Sequence, residues 1–186
     1  EGPVEVICEE RQIAPFTDIH EFCRRIGTKK VGKRVLEALV RSGSMDSLVK
    51  GCSDLSTVRS QLLGELDDAI QGAEQSARNL SMGITDMFGG VEEAHLTSGK
   101  AIRTLSKKER LDGEKETLGL YLTGHPIEEY ADEISGICRK RIAQLEPGRG
   151  KQIAAGLIVL SRTRRNRNGG GMAFVILDDQ SGRIEA

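Results

Sequence analysis

Helix-forming and strand-forming periodicities occupy separate parts of this 186-residue chain, and that segregation limits the folds open to it. Apolar residues recur at helical spacing through about residue 80, whereas strand-like runs begin only near Lys151. Alternating βα units are therefore excluded, and the expected class is α+β: helical modules followed by a sheet.

Several helices can be placed from pattern and punctuation. Residues 3–11 read as a short helix with Pro3 in its first turn. A second starts at Thr17-Asp18 and places Ile19, Phe22, Cys23 and Ile26 on one face. The stretch Gly27-Thr-Lys-Lys-Val-Gly32 breaks it, and a third helix runs from about Lys33 to Arg41 until Ser42-Gly43. Either Asp54 or Ser56 caps a longer amphipathic helix over 56–80. Residues 81–112 lose periodicity and read as a mobile linker. A helix over Glu114–Leu122, ended by Gly124, is expected next, followed by a turn at His125-Pro126 and a helix over 127–135.

The strand runs are Gln152–Leu160 and Met172–Leu177. A turn at Asp178-Asp-Gln-Ser-Gly182 leads into the start of a third. A third strand only begun leaves an open edge, so the expectation is a piece of a larger sheet.

Composition narrows the chemistry. The net charge of −1 excludes a global basic field, so any polyanion must be met by a local patch. With four Phe, two Tyr and no Trp, the core must be mainly aliphatic. Cys8, Cys23, Cys52 and Cys138 are scattered without a Cys-x-x-Cys pair, the pattern expected of reduced, buried thiols in a cytoplasmic protein. No signal peptide, membrane partner, cofactor or metal is expected. His20, His95 and His125 lie in unrelated segments, and no P-loop, Gly-x-Gly-x-x-Gly or nucleophile elbow is present, so no catalytic residue is assigned.

Three stretches carry candidate binding chemistry. Between Arg24 and Arg41, seven cations (Arg24, Arg25, Lys29, Lys30, Lys33, Arg34, Arg41) face the single carboxylate of Glu37. Two helices joined by a tight glycine turn can aim backbone N–H groups at a phosphate, so Gly27, Thr28, Lys29, Lys30, Gly32, Lys33 and Arg34 are the duplex-DNA candidates. The hairpin reads Lys30-Val31-Gly32, where Gly-hydrophobic-Gly is usual. The competing reading is a solvated basic hairpin that only packs.

Met87 and Phe88, within Ile84-Thr85-Asp86-Met87-Phe88, are two large apolar side chains in a polar stretch. They read either as a short docking peptide for a protein pocket or as residues folding back on this domain. Lastly, Arg162, Arg164, Arg165 and Arg167 surround an expected hairpin turn with Phe174 nearby, either a single-strand-binding tip or a solvated loop.

Taken together, these blocks resemble the bacterial C-family replicative polymerases, in the alpha subunit of DNA polymerase III. The resemblance rests on Glu1-Gly-Pro-Val-Glu-Val-Ile, Lys33–Gly43, Asp86-Met-Phe-Gly89, Asp112–Pro126 and Leu177–Glu185. It implies a helix-hairpin-helix DNA-binding domain over 1–80 and a linker over 81–112 with a sliding-clamp peptide. A helical connector over 113–150 and the N-terminal part of an OB-fold over 151–186 would follow. The family's clamp peptide usually opens with Gln where this chain has Ile84.

The implied role is non-catalytic: gripping double-stranded DNA without reading sequence and tethering the polymerase to its clamp, with the catalytic aspartates elsewhere. Single-stranded template and other holoenzyme subunits are further implied partners. The alternative is an interaction scaffold that packs on other polymerase domains without touching DNA. A DNA-binding part of a ligase or repair enzyme fits the 112–126 block less well.

Overall fold

The computed structural model describes residues 2–28, 30–82, 103–148, 150–165 and 170–186. They form two compact units, Glu1–Tyr121 and Leu122–Ala186. The class is α+β, mostly helical with one small antiparallel sheet.

The first unit contains α1 (Gly2–Ile13), α2 (Ile19–Ile26), α3 (Lys33–Arg41), α4 (Leu55–Ser81) and α5 (Lys107–Leu118). Ile19, Phe22, Cys23 and Ile26 form a fully buried stripe on α2 that packs along α4. Val58, Leu62, Leu66, Ala69 and Ala73 form the matching stripe on α4, at the spacing that keeps side chains on one helix face. Leu36 and Val40 of α3 complete the core with Val31 and Met45. Burial pushes the Cys23 thiol up to about 11, so this cysteine packs and does not react.

α1 buries no residue completely; polar ties hold it in place. The Arg25 guanidinium donates to the Glu10 carbonyl, to Glu10 Oε2 at 3.2 Å and to the Ala14 carbonyl at 3.0 Å. It also lies 4.5 Å from the centre of the Phe16 ring. One of the seven clustered cations is thus committed to joining α1 to α2.

A buried arginine organises the other side of the unit. Arg59 of α4 is 1% exposed and makes two parallel bonds to Asp46, Nε to Oδ1 at 3.0 Å and Nη2 to Oδ2 at 3.0 Å. Its Nη1 donates to Glu114 Oε1 of α5 at 2.8 Å and to the Arg41 carbonyl at the end of α3 at 3.3 Å. Burial works against this charge, but the bonds to Asp46 and Glu114 outweigh it and hold the guanidinium above its ordinary value. Gly43, at φ +83°, leaves the space it needs: a Cβ there would lie 2.9 Å from Arg59 Cζ.

In the second unit, a 3₁₀ turn (Pro126–Tyr130) runs into α6 (Ala131–Ile137), and another 3₁₀ turn covers Ile142–Gln144. β1 (Leu157–Arg165), β2 (Gly171–Asp178) and β3 (Arg183–Glu185) then form an antiparallel meander in the order β1-β2-β3. Asp179 Oδ1 accepts from the Ser181 and Gly182 amides, and its Oδ2 accepts from Ile142 N at 2.8 Å. The carboxylate therefore closes the β2–β3 turn and ties it to the preceding 3₁₀ turn.

Several expectations are corrected. α5 begins at Lys107, inside the stretch read as linker, with Ser106 as its cap; Leu105 N donates to Ser60 Oγ of α4 at 2.7 Å. α5 ends at Gly119, left-handed at φ +76°, and not at Gly124. The sheet starts at Leu157, not near Lys151. Of the four thiols only Cys23 is buried, and Cys8 is exposed. His125 does lie at a turn, but it is buried and caps the Pro126–Tyr130 segment, its Nδ1 accepting from Ile127 N.

Replacing Arg59 by Met should take the Arg59 partner from the fully buried Glu114 carboxylate and cost about 3–5 kcal/mol. Arg41→Ala removes only an exposed pair with Glu116 and should cost less than about 1 kcal/mol. Urea denaturation of the two variants checks the contrast.

Candidate nucleic-acid interface

The α2–α3 hairpin is fixed at its middle and open at its rim. Val31 is fully buried and anchors the turn to the core. Gly27 ends α2 at φ +69°, a backbone state that L side chains rarely adopt, and its carbonyl accepts from Lys30 N at 3.0 Å. Gly32 caps α3 at an ordinary φ of −68°, so the turn geometry does not demand glycine there. A Cβ at Gly32 would meet nothing within 4 Å. The missing side chain leaves the surface open to an approaching group.

Among α2 to α5, the start of α3 alone combines a missing side-chain cap with a first turn free of acid. Asp18 caps α2, Asp54 caps α4 and Ser106 caps α5, each accepting an amide hydrogen with its side chain. Gly32 offers α3 no such acceptor. Moreover, α2 and α5 carry an acidic residue in the first turn, as the helix dipole favours, while α3 carries Lys33 and Arg34 and no acid. Positive side chains at an already positive helix end are unfavourable for an isolated helix, but they suit an anion.

The clustered cations separate by their partners. Arg24, Lys30 and Arg34 are exposed and make no ion pair among the described residues. Thr28 is half-buried, and Lys29 lies outside the described residues. Arg25 is consumed by the α1–α2 connection, and Arg41 pairs with Glu116 at 3.0 Å. Lys33 is exposed but engaged, with Asp67 Oδ1 of α4 at 2.6 Å and Glu37 Oε1 at 3.8 Å. Sequence reasoning gave no sign of the Asp67 contact, which joins residues far apart along the chain.

On the sheet, β1 and β2 pair Arg162 with Phe174 and Arg164 with Met172. Directly opposed residues share a face, so Arg162, Arg164, Phe174 and Met172 form one exposed basic and apolar strip. Arg165 pairs with Gly171 and falls on the opposite face; Arg167 lies outside the described residues. The whole Ile84–Phe88 stretch also lies outside them. Among the described residues, no group of His, Cys, Asp or Glu is arranged to hold a metal ion, and no helix is long and apolar enough to cross a membrane.

Comparison with known proteins gives this geometry a context. Residues 1–54 match the model of the helix-hairpin-helix motif. DNA polymerase III subunit alpha of Pseudomonas fluorescens is 46% identical over the whole chain, and that of Pseudomonas aeruginosa is 47% identical over the same span. The chain belongs to the DNA polymerase III alpha-subunit family. Escherichia coli K12 supplies another relative, 40% identical over 100% of the chain. The chain spans only about 17% of the length of the two Pseudomonas relatives. The α2–α3 hairpin lies within the matched helix-hairpin-helix region.

The two hairpin glycines should respond differently to substitution. Gly27→Ala forces a side chain into an unfavourable φ and should cost about 1–2 kcal/mol. Gly32→Ser adds a cap acceptor where nothing obstructs it, and should leave stability unchanged or raised by a few tenths of a kcal/mol. Thermal melts followed by circular dichroism check both.

Proposed function

We propose that this segment holds duplex DNA by its sugar–phosphate backbone, without reading sequence, within a replicative polymerase. The observation that carries this reading is the start of α3: uncapped amides, two cations in the first turn and no side chain at Gly32. All three features favour an oxyanion approaching closely, and none of them contributes to the core. Arg24, Lys30 and Arg34 extend the positive surface around it. Backbone contacts of this kind fix position and carry no base information.

The relatives are DNA polymerase III alpha subunits, so the reading places this grip in DNA chain elongation. On this reading the segment itself performs no nucleotidyl transfer, which belongs to the rest of a subunit several times longer. The Ile84–Phe88 peptide serves as the tether to the sliding clamp, with Met87 and Phe88 as apolar anchors. The β1–β2 strip of Arg162, Arg164 and Phe174, in a sheet read as part of an OB-fold, is positioned for single-stranded template, offering cations for phosphates and one ring for a base.

Duplex affinity, read by fluorescence anisotropy between about 50 and 200 mM salt, tests the grip. Lys30→Glu with Arg34→Glu should weaken binding by more than tenfold and flatten the log–log salt slope by roughly 0.9 for each phosphate no longer neutralised. Gly32→Ser should weaken binding without destabilising the fold. Unchanged affinity and slope in both variants would favour the scaffold reading, in which the hairpin only packs on other polymerase domains.

The tether is tested separately. Met87→Ala with Phe88→Ala should abolish capture of the chain by the immobilised sliding clamp and leave duplex binding intact; clamp capture that survives both substitutions discards it.

A further inference from the structure

We propose that Asp67 is a resident counter-ion for the hairpin, displaced from Lys33 by a DNA phosphate when duplex binds. The inference rests on the duplex-binding reading above and adds to it how that grip is regulated. Lys33 opens α3 beside Gly32, at the point where the amides are uncapped. Its ammonium lies 2.6 Å from the Asp67 carboxylate, which reaches across from α4. The hydrogen bond from Lys33 to Asp67 raises the lysine above its ordinary value, so the ammonium is fully charged at neutral pH.

Two features make the carboxylate replaceable. The pair is exposed, Lys33 at 52% and Asp67 at 60%, and such pairs contribute little to stability. Asp67 also accepts no backbone amide of α3 among the described residues; Val35 N donates to the Gly32 carbonyl at 2.9 Å, which leaves the Lys33 and Arg34 amides open to an anion. A phosphate can take Lys33 and those amides together. Glu37, four residues along the same helix at 3.8 Å, is the weaker second neighbour and stays with Lys33 in either state.

Binding then exchanges one anion for another, and does not create an ion pair from two free ions. The net gain is small and dissociation is fast. A grip that must let the duplex slide at every nucleotide added needs those properties.

A double-mutant cycle on the full 186-residue chain, with primed duplex as the probe, isolates the exchange. Asp67→Asn should tighten binding about two- to fivefold, the range expected for releasing an exposed pair, with an unchanged salt slope. Lys33→Met should weaken binding and flatten the slope by roughly 0.9. In the Lys33→Met background, Asp67→Asn should have no further effect. Equal tightening in both backgrounds would mean that Asp67 only repels DNA at a distance, and would overturn the proposal. Unchanged affinity for Asp67→Asn in a chain that does bind duplex would overturn it while leaving the duplex reading standing. No duplex binding by the unmutated chain would remove that reading and this inference together.

Discussion

The buried guanidinium of Arg59 is the interaction on which the helical unit depends. It joins three pieces of chain that local patterning does not bring together: the turn after α3 through Asp46, the end of α3 through the Arg41 carbonyl, and α5 through Glu114. A charge this deeply removed from water is tolerated only if its donors find acceptors in good geometry. The parallel pair of bonds to Asp46 and the short bond to Glu114 meet that requirement. The end of α3 is held from one side by this network, and its start is held by Val31 in the core.

The hairpin's exposed chemistry follows from that double attachment. Cations near one another in sequence do different work once folded. Arg25 is a fastener between helices, and Arg41 is drawn toward α5. Lys33 is neutralised across the gap to α4, while Arg24, Lys30 and Arg34 remain on the surface. A linear count of charge overstates the field, because three of the seven cations are paired with carboxylates on neighbouring helices.

Much of the fold was legible because its signals are local. The limits of α3 coincide with the expected Lys33–Arg41. The Ile19, Phe22, Cys23 and Ile26 face is the buried face of α2, and Asp54 is the cap that opens α4. α5 was legible only in part: Ser106 and Glu109 form a local capping box at its start, but the packing that holds the helix is not local. Few of its residues are apolar, Leu111 is its one buried large apolar side chain, and its main attachment is Glu114 on Arg59. Hydrophobic periodicity is blind to a helix held by a buried charge. The same limit applies at the candidate site: sequence marked Lys33, but its Asp67 partner is a tertiary contact. On the sheet, pattern gathered the arginines into one group, whereas strand register divides Arg165 from Arg162 and Arg164.

The burial of Val31 has a thermodynamic consequence. A turn pinned at its centre has already surrendered its conformational freedom during folding, so an incoming ligand has little left to immobilise. Only the long, exposed lysine and arginine tips would still have to settle. Association at this corner should therefore resemble a key meeting a rigid lock whose outermost pins alone are sprung.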